Sequence, residues 1–173
     1  MFTPCFRFRY ECKCSVQEAQ VGKLMRIWVD ADACPGAVRD IVIKAAVKRK
    51  IEICFVANKA LVLPESPLII KVLVAAGPDV ADQYILEHVA SNDLIVTQDI
   101  PLAHGLLAKG AVVLNPHGNV FTNDNIADRL SIRDISQGLR DAGEMTGGPA
   151  PFGDKEKRAF ASSFDRELTK LIR

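Results

Sequence analysis

Histidine is scarce in this sequence of 173 residues: there are three, and none precedes His88. The five cysteines, Cys5, Cys12, Cys14, Cys34 and Cys54, have no imidazole near them and no CxxC spacing among them. A closed zinc site is therefore not expected. An odd number of cysteines also argues against a disulfide framework and for a reducing compartment. Neither sign of charge is in excess: 22 Lys and Arg face 21 Asp and Glu, a formal net charge of +1. That excludes a globally basic surface, so any contact with nucleic acid has to be a local patch. Long apolar runs are missing as well. Residues 68–76 are interrupted by Lys71, far short of the ~20 residues a membrane span requires. Residues 1–24 carry Arg7 and Arg9 but no apolar stretch of the secretory kind. The expectation is a cytoplasmic protein with no membrane segment.

What is present suffices for one folded domain. Apolar residues make up 49% and charged residues 25% of the chain, enough apolar side chain to offset the entropy of ordering. Residues 1–24 show neither helical nor strand periodicity, and Met25 then opens a strong strand pattern. They read as a foreign or flexible extension in front of a single domain at 25–173.

From Met25 the punctuation is regular. Residues 26–30, 52–56, 68–75, 93–99 and 111–114 are apolar runs of strand length. The third, rich in Ile, Val and Leu, reads as a strand covered on both faces. Between the strands, helices are predicted at about 35–49, with Val38, Ile41, Val42 and Ala45 on one stripe, after Gly77-Pro78-Asp79 to about residue 90, and at 101–109, where Gly110 ends the helix. A longer helix over about 122–141, capped by Thr122 or Asn123, precedes a Gly/Pro segment at 143–153. A last helix carries Phe160, Phe164, Leu168 and Leu171 at core spacing. Strands alternating with helices define an α/β protein with a mainly parallel sheet.

In such a sheet ligands bind beyond the carboxyl ends of the strands, and that is where the aspartates fall. Asp30 and Asp32 follow the first strand, and residues two apart in extended chain point the same way. Asp99 follows the fourth strand. Asp79 and Asp82 fall in the first turn of the helix after the third strand, on one face. Carboxylates gathered at one edge repel unless a cation sits among them, and hard oxygen ligands suit Mg²⁺ or Mn²⁺. Each residue also has a plainer use. Asp79 and Asp82 complement a helix dipole, and Asp99 caps the helix at Pro101. Asp30 is harder to explain that way, because a carboxylate closing an apolar central strand is costly without a partner.

The segments Met25-Arg-Ile-Trp-Val-Asp-Ala-Asp-Ala-Cys-Pro35, Gly77-Pro-Asp-Val-Ala-Asp-Gln-Tyr-Ile85, Val96-Thr-Gln-Asp-Ile-Pro-Leu-Ala103 and Thr146-Gly-Gly-Pro149 with Pro151-Phe152 closely resemble the bacterial YaiI/YqxD family, from Met25 to the C-terminus. That family is similar to PIN-like domains. The resemblance implies a three-layer fold, a central sheet flanked by helices, and Mg²⁺- or Mn²⁺-dependent nuclease chemistry on RNA or single-stranded nucleic acid. By it, Asp30 matches the strand-one aspartate, Asp82 the aspartate opening the later helix, and Asp99 the aspartate after the Thr-x-Asp strand. PIN nucleases carry a further acidic residue on an early helix. Here Asp40, beside Arg39 and Lys44, or Glu65, in a Pro-flanked loop, would have to supply it.

Four residues are candidates for substrate contact. Asn58 ends the second strand, and His117 follows the fifth at the aspartate edge. Lys155 and Arg158 flank a Gly/Pro segment and suit a phosphate backbone, although their interleaving with acids also describes a solvated helix face. Cys34, before a helix, reads as structural or site-lining, with a reactive thiol as the alternative. Three functions are compatible with these residues. The leading one is a metal-dependent nuclease with catalytic Asp30, Asp32, Asp82 and Asp99 and with Asp79 joining them as a metal ligand. The others are a non-catalytic nucleotide- or RNA-binding module and a phosphatase of the haloacid-dehalogenase type using Asp30-Ala-Asp32.

Overall fold

The computed structural model describes residues 25–141 and 152–173. The extension at 1–24 and the Gly/Pro motif at 146–151 lie outside the described residues. In chain order the elements are β1 (Ile27–Asp30), α1 (Gly36–Arg49), β2 (Ile53–Ala57), β3 (Ile69–Leu73), α2 (Val80–His88), β4 (Leu94–Val96), α3 (Ile100–Ala108), β5 (Val112–Leu114), β6 (Val120–Phe121), α4 (Asn123–Asp141) and α5 (Asp154–Ile172). The six strands form one sheet in the order β3-β2-β1-β4-β5-β6, parallel except for β6. The fold is α/β, as the alternation of the sequence requires.

Helices cover both faces, and the strands sort their side chains between them with the period of two that extended chain imposes. Ile27 and Val29 of β1 and Ile53, Phe55 and Ala57 of β2 face α1 and α5. There they meet Val38, Val42 and Ala46, and Phe160, Phe164 and Leu168. Trp28, Cys54, Val56 and Ile95 face the opposite layer, where Ile85 of α2, Leu102, Ala103 and Leu106 of α3 and Ile126 of α4 close over them. Two-sided cover is why β1 and β2 read as continuous apolar runs.

Three local readings change. The third strand is not doubly covered: β3 is the sheet edge, with Lys71 and Leu73 exposed. An apolar composition cannot distinguish a central strand from an edge one. The two-residue β6 has no sequence signal of its own. It is defined by antiparallel pairing with β5 across the turn at residues 115–119, held by Asn115 Oδ1 accepting from the His117 and Asn119 N–H groups. The fourth strand is shorter than its apolar run suggests, because the chain turns after Val96. The remaining signals hold their places. On α1 the stripe is centred on Val38, Val42 and Ala46, with Ile41 and Ala45 at its margin. Thr122 caps α4 reciprocally with Asn125, the Asn125 N–H donating to Thr122 Oγ1 and the Thr122 N–H to Asn125 Oδ1.

Candidate active site

The chain leaves β1 to build β2 and β3 on one side, then returns through α2 to lay β4 on the other. Where strand order reverses, the connecting segments part and leave a crevice at the carboxyl ends. Between the ends of β1 and β4 lies an open cleft of about 420 Å³ lined by Asp30, Asp32, Asn58, Asp79, Asp82 and Asp99.

Asp30 is the buried member, 6% exposed, on the same face of β1 as Trp28. Its Oδ2 accepts the Thr97 hydroxyl at 3.0 Å. Burial holds its carboxyl above the ordinary range, the Thr97 hydrogen bond opposes this, and the charges of Asp32 and Asp99 add to the rise. The same Thr97 oxygen accepts the Asp99 N–H at 3.0 Å. One hydroxyl thus ties the end of β1 to the start of α3, using its donor on one side and a lone pair on the other.

Asp99 caps α3, Oδ1 accepting from the Leu102 N–H at 2.7 Å, and it also lines the cleft. Capping and site-lining are therefore compatible at this residue. Asp32 is exposed and accepts the Asn58 N–H at 2.8 Å, so the loop after β1 is fastened to the end of β2. Asp79 precedes α2 in the left-handed region, φ 60°, and its side chain makes no cap hydrogen bond. Asp tolerates that conformation better than most residues. Asp82, in the first turn of α2, has its carboxyl pushed up to about 6, first by burial and then by the charges of Asp99, Asp30 and Asp79. That shift links residues far apart in sequence: the carboxylates repel one another across the cleft.

Among the described residues none of the five aspartates forms an ion pair with Lys, Arg or His. Nor do three or more His, Cys, Asp or Glu side chains, as they stand among those residues, form a group that could hold a metal ion. The donor set is hard oxygen throughout. It suits Mg²⁺ or Mn²⁺ by chemistry, and closing on an ion would require side-chain rotation.

The other candidates are distributed differently. Asn58 lines the cleft. Asp40 is exposed on α1 and Glu65 is exposed between β2 and β3, and neither is among the residues lining it. His117, in the turn between β5 and β6, packs edge-on against Phe152 with ring centroids 5.8 Å apart. Lys155 and Arg158 are exposed on the first turns of α5. These three are not cleft residues. Cys34 is buried and its thiol is pushed up to about 12 by burial, so it is not a reactive thiolate. Thr97 was legible only as the first letter of Thr-x-Asp, without its bridging part. Asp93, buried just before β4, carries no sequence signal of its role. It accepts the N–H groups of Arg26 and Ala90 and the Trp28 indole at 2.9–3.0 Å, so it is a satisfied structural carboxylate at the opposite end of the strands.

Fold and site together define an α/β protein whose acidic cleft opens at the switch point of a mainly parallel sheet. The chain belongs to the YaiI/YqxD family (DUF188), whose model matches residues 28–170. It is 52% identical over 149 residues to a UPF0178 protein of Myxococcus xanthus, covering 86% of this chain and 97% of that one. It is 47% identical over 149 residues to a UPF0178 protein of Syntrophobacter fumaroxidans, with the same coverage. A UPF0178 protein of Psychromonas ingrahamii is 49% identical over 146 residues, 84% of this chain and 97% of that one. No solved structure matches the chain. No helix among the described residues is long and apolar enough to cross a membrane.

Proposed function

We propose that the protein is a Mg²⁺- or Mn²⁺-dependent nuclease that hydrolyses phosphodiester bonds in single-stranded nucleic acid, RNA before DNA, on a PIN-like domain. The observation that carries this reading is the gathering of Asp30, Asp32, Asp79, Asp82 and Asp99 around one cleft, with no cationic side chain among the described residues paired to them. Such a cluster is unfavourable by itself: burial first, and then the charges of Asp99, Asp30 and Asp79, raise the Asp82 carboxyl, and a divalent cation would offset the repulsion. When bound, divalent ions would supply an activated water and stabilise the leaving oxygen. The chain's own contribution is positional. Thr97 aims the Asp30 carboxylate, the α3 cap orients Asp99, the Asn58 N–H orients Asp32, and α2 presents Asp79 and Asp82. A single strand suits an open crevice better than a duplex does, because no element among the described residues is placed to enter a groove.

A haloacid-dehalogenase-type phosphatase would need a lysine near the nucleophile, and no lysine is among the described residues lining the cleft. The test uses purified full-length protein with end-labelled single-stranded RNA and DNA in Mn²⁺, beside EDTA and Asp99→Asn, which keeps the capping oxygen. Cleavage lost in both controls is expected. Cleavage that survives Asp99→Asn, or a protein that binds no Mn²⁺ by calorimetry, would overturn the nuclease reading. Mn²⁺ and RNA binding without turnover would replace it with a binding module.

A further inference from the structure

A second groove, of about 370 Å³, runs on from the acidic cleft and shares Asp79, Asp82 and Asp99 with it. Its other walls are different in kind. Leu86 of α2 and Pro101 and Leu102 of α3 supply apolar lining, and Arg133 of α4 lines the groove with them. Arg133 is the one cation among the described residues lining either groove. Among the described residues the carboxylate paired with it is that of its chain neighbour Asp134 at 3.9 Å, beyond hydrogen-bond reach. The guanidinium is half-exposed and its planar fork of donors is not committed to that neighbour.

A polyanion approaching five carboxylates is repelled, and divalent ions at the cleft would offset this only locally. Binding needs a cation where the strand leaves the cleft. Lys155 and Arg158 belong to α5, whose core residues pack on the opposite face of the sheet from α2, α3 and α4. Arg133 stands on the cleft side. We propose that this second groove is a substrate subsite, with Arg133 holding the phosphate next to the scissile one and the Leu86-Pro101-Leu102 wall receiving the nucleoside attached to it. The proposal rests on the nuclease reading and adds the direction of the strand: from the cleft, between α2 and the first turn of α3, toward α4.

The experiment measures binding of a short fluorescein-labelled single-stranded oligouridylate to the full chain by anisotropy, with Ca²⁺ as the divalent ion, over a salt series. Arg133→Ala is expected to weaken binding about tenfold and to reduce the salt slope by about one phosphate, with Arg133→Lys recovering part of the loss. Mn²⁺ affinity by calorimetry and the melting temperature should stay at wild-type values, since the side chain is solvent-facing. Lys155→Ala with Arg158→Ala should bind as wild type does. Equal binding by wild type and Arg133→Ala, or an equal loss in the α5 double variant, overturns the subsite while leaving the nuclease reading in place. A wild-type protein that binds Mn²⁺ but no oligonucleotide overturns both.

Discussion

Asp30 and Asp93 are both buried aspartates, and the difference between them lies in what surrounds their oxygens. Asp93 receives three N–H donors, so its charge is satisfied where it stands. Asp30 accepts the Thr97 hydroxyl and the Asp32 backbone N–H, and it faces the charges of Asp32 and Asp99. Asp93→Ala is expected to destabilise by about 2–4 kcal/mol, because it leaves the buried Trp28 indole and two part-buried backbone N–H groups without their acceptor. A cleft substitution should do the reverse. Asp82 has an unfolded value of 3.8 and a folded value of about 6. Between the two, the folded chain holds a proton that the unfolded chain has released. Its stabilising contribution is therefore fully present below about pH 4 and lost as pH rises through 6. Asp82→Asn removes the resulting penalty at pH 8. Two pKa units correspond to roughly 3 kcal/mol, and solvent screening at this part-exposed site reduces that to about 1 kcal/mol. Calorimetry in EDTA should show a melting temperature raised by about 2–4 °C at pH 8 and little changed at pH 4. A lower melting temperature for Asp82→Asn at pH 8 would sink the repulsion argument, and an unaffected Asp93→Ala would sink the structural role of that residue.

At the scale of elements, the turn between β5 and β6 fixes how α5 sits on the sheet. Gly118 has φ +86°, and a Cβ there would lie 2.6 Å from the Ala159 carbonyl carbon. The backbone of the turn and the backbone of α5 touch, and no side chain fits between them. Gly118→Ala is expected to lose about 2–4 kcal/mol from left-handed strain and overpacking together. A urea midpoint within error of wild type would show that α5 can shift without loss. The same helix is anchored at its start by Glu156, whose Oε2 accepts the Gly153 N–H, and near its end by Arg49 of α1, which donates to Asp165 and Thr169. Its stripe of Phe160, Phe164 and Leu168 was legible as core from spacing alone. Its partners, Val38, Val42 and the inner residues of β1 and β2, were not.

For the whole molecule, the site exists because one sheet reverses its strand order. β1 lies between β2 and β4, and only that arrangement sets Asp30 beside Thr97 and Asp99 across 67 residues of chain. If the cleft binds a divalent ion, Mn²⁺ at a hundred times its dissociation constant should add about 2.7 kcal/mol and raise the melting temperature by about 5–10 °C. The shift should shrink as pH falls through 6, since Asp82 has to release its proton to accept an ion. Asp30→Asn should abolish it. A thermal scan of wild type and Asp30→Asn with and without Mn²⁺ decides this, and equal shifts in the two would place the ion elsewhere.

The amino-acid sequence alone determined the α/β class, the positions of most strands and helices, and the placing of five aspartates at strand ends and helix starts. Each of these depends on the period of local apolar pattern, on Pro and Gly, or on residue type at a boundary, all readable within a few residues. The tertiary structure decided the rest. Whether an apolar run is a central or an edge strand, as at β3, depends on which neighbours pair with it. Whether a two-residue segment is a strand, as at β6, depends on a partner. Which aspartates share a cleft depends on the order of strands in the sheet. Arg133 looks like any solvated helix cation until α4 is packed against α3, and only then does it face the groove.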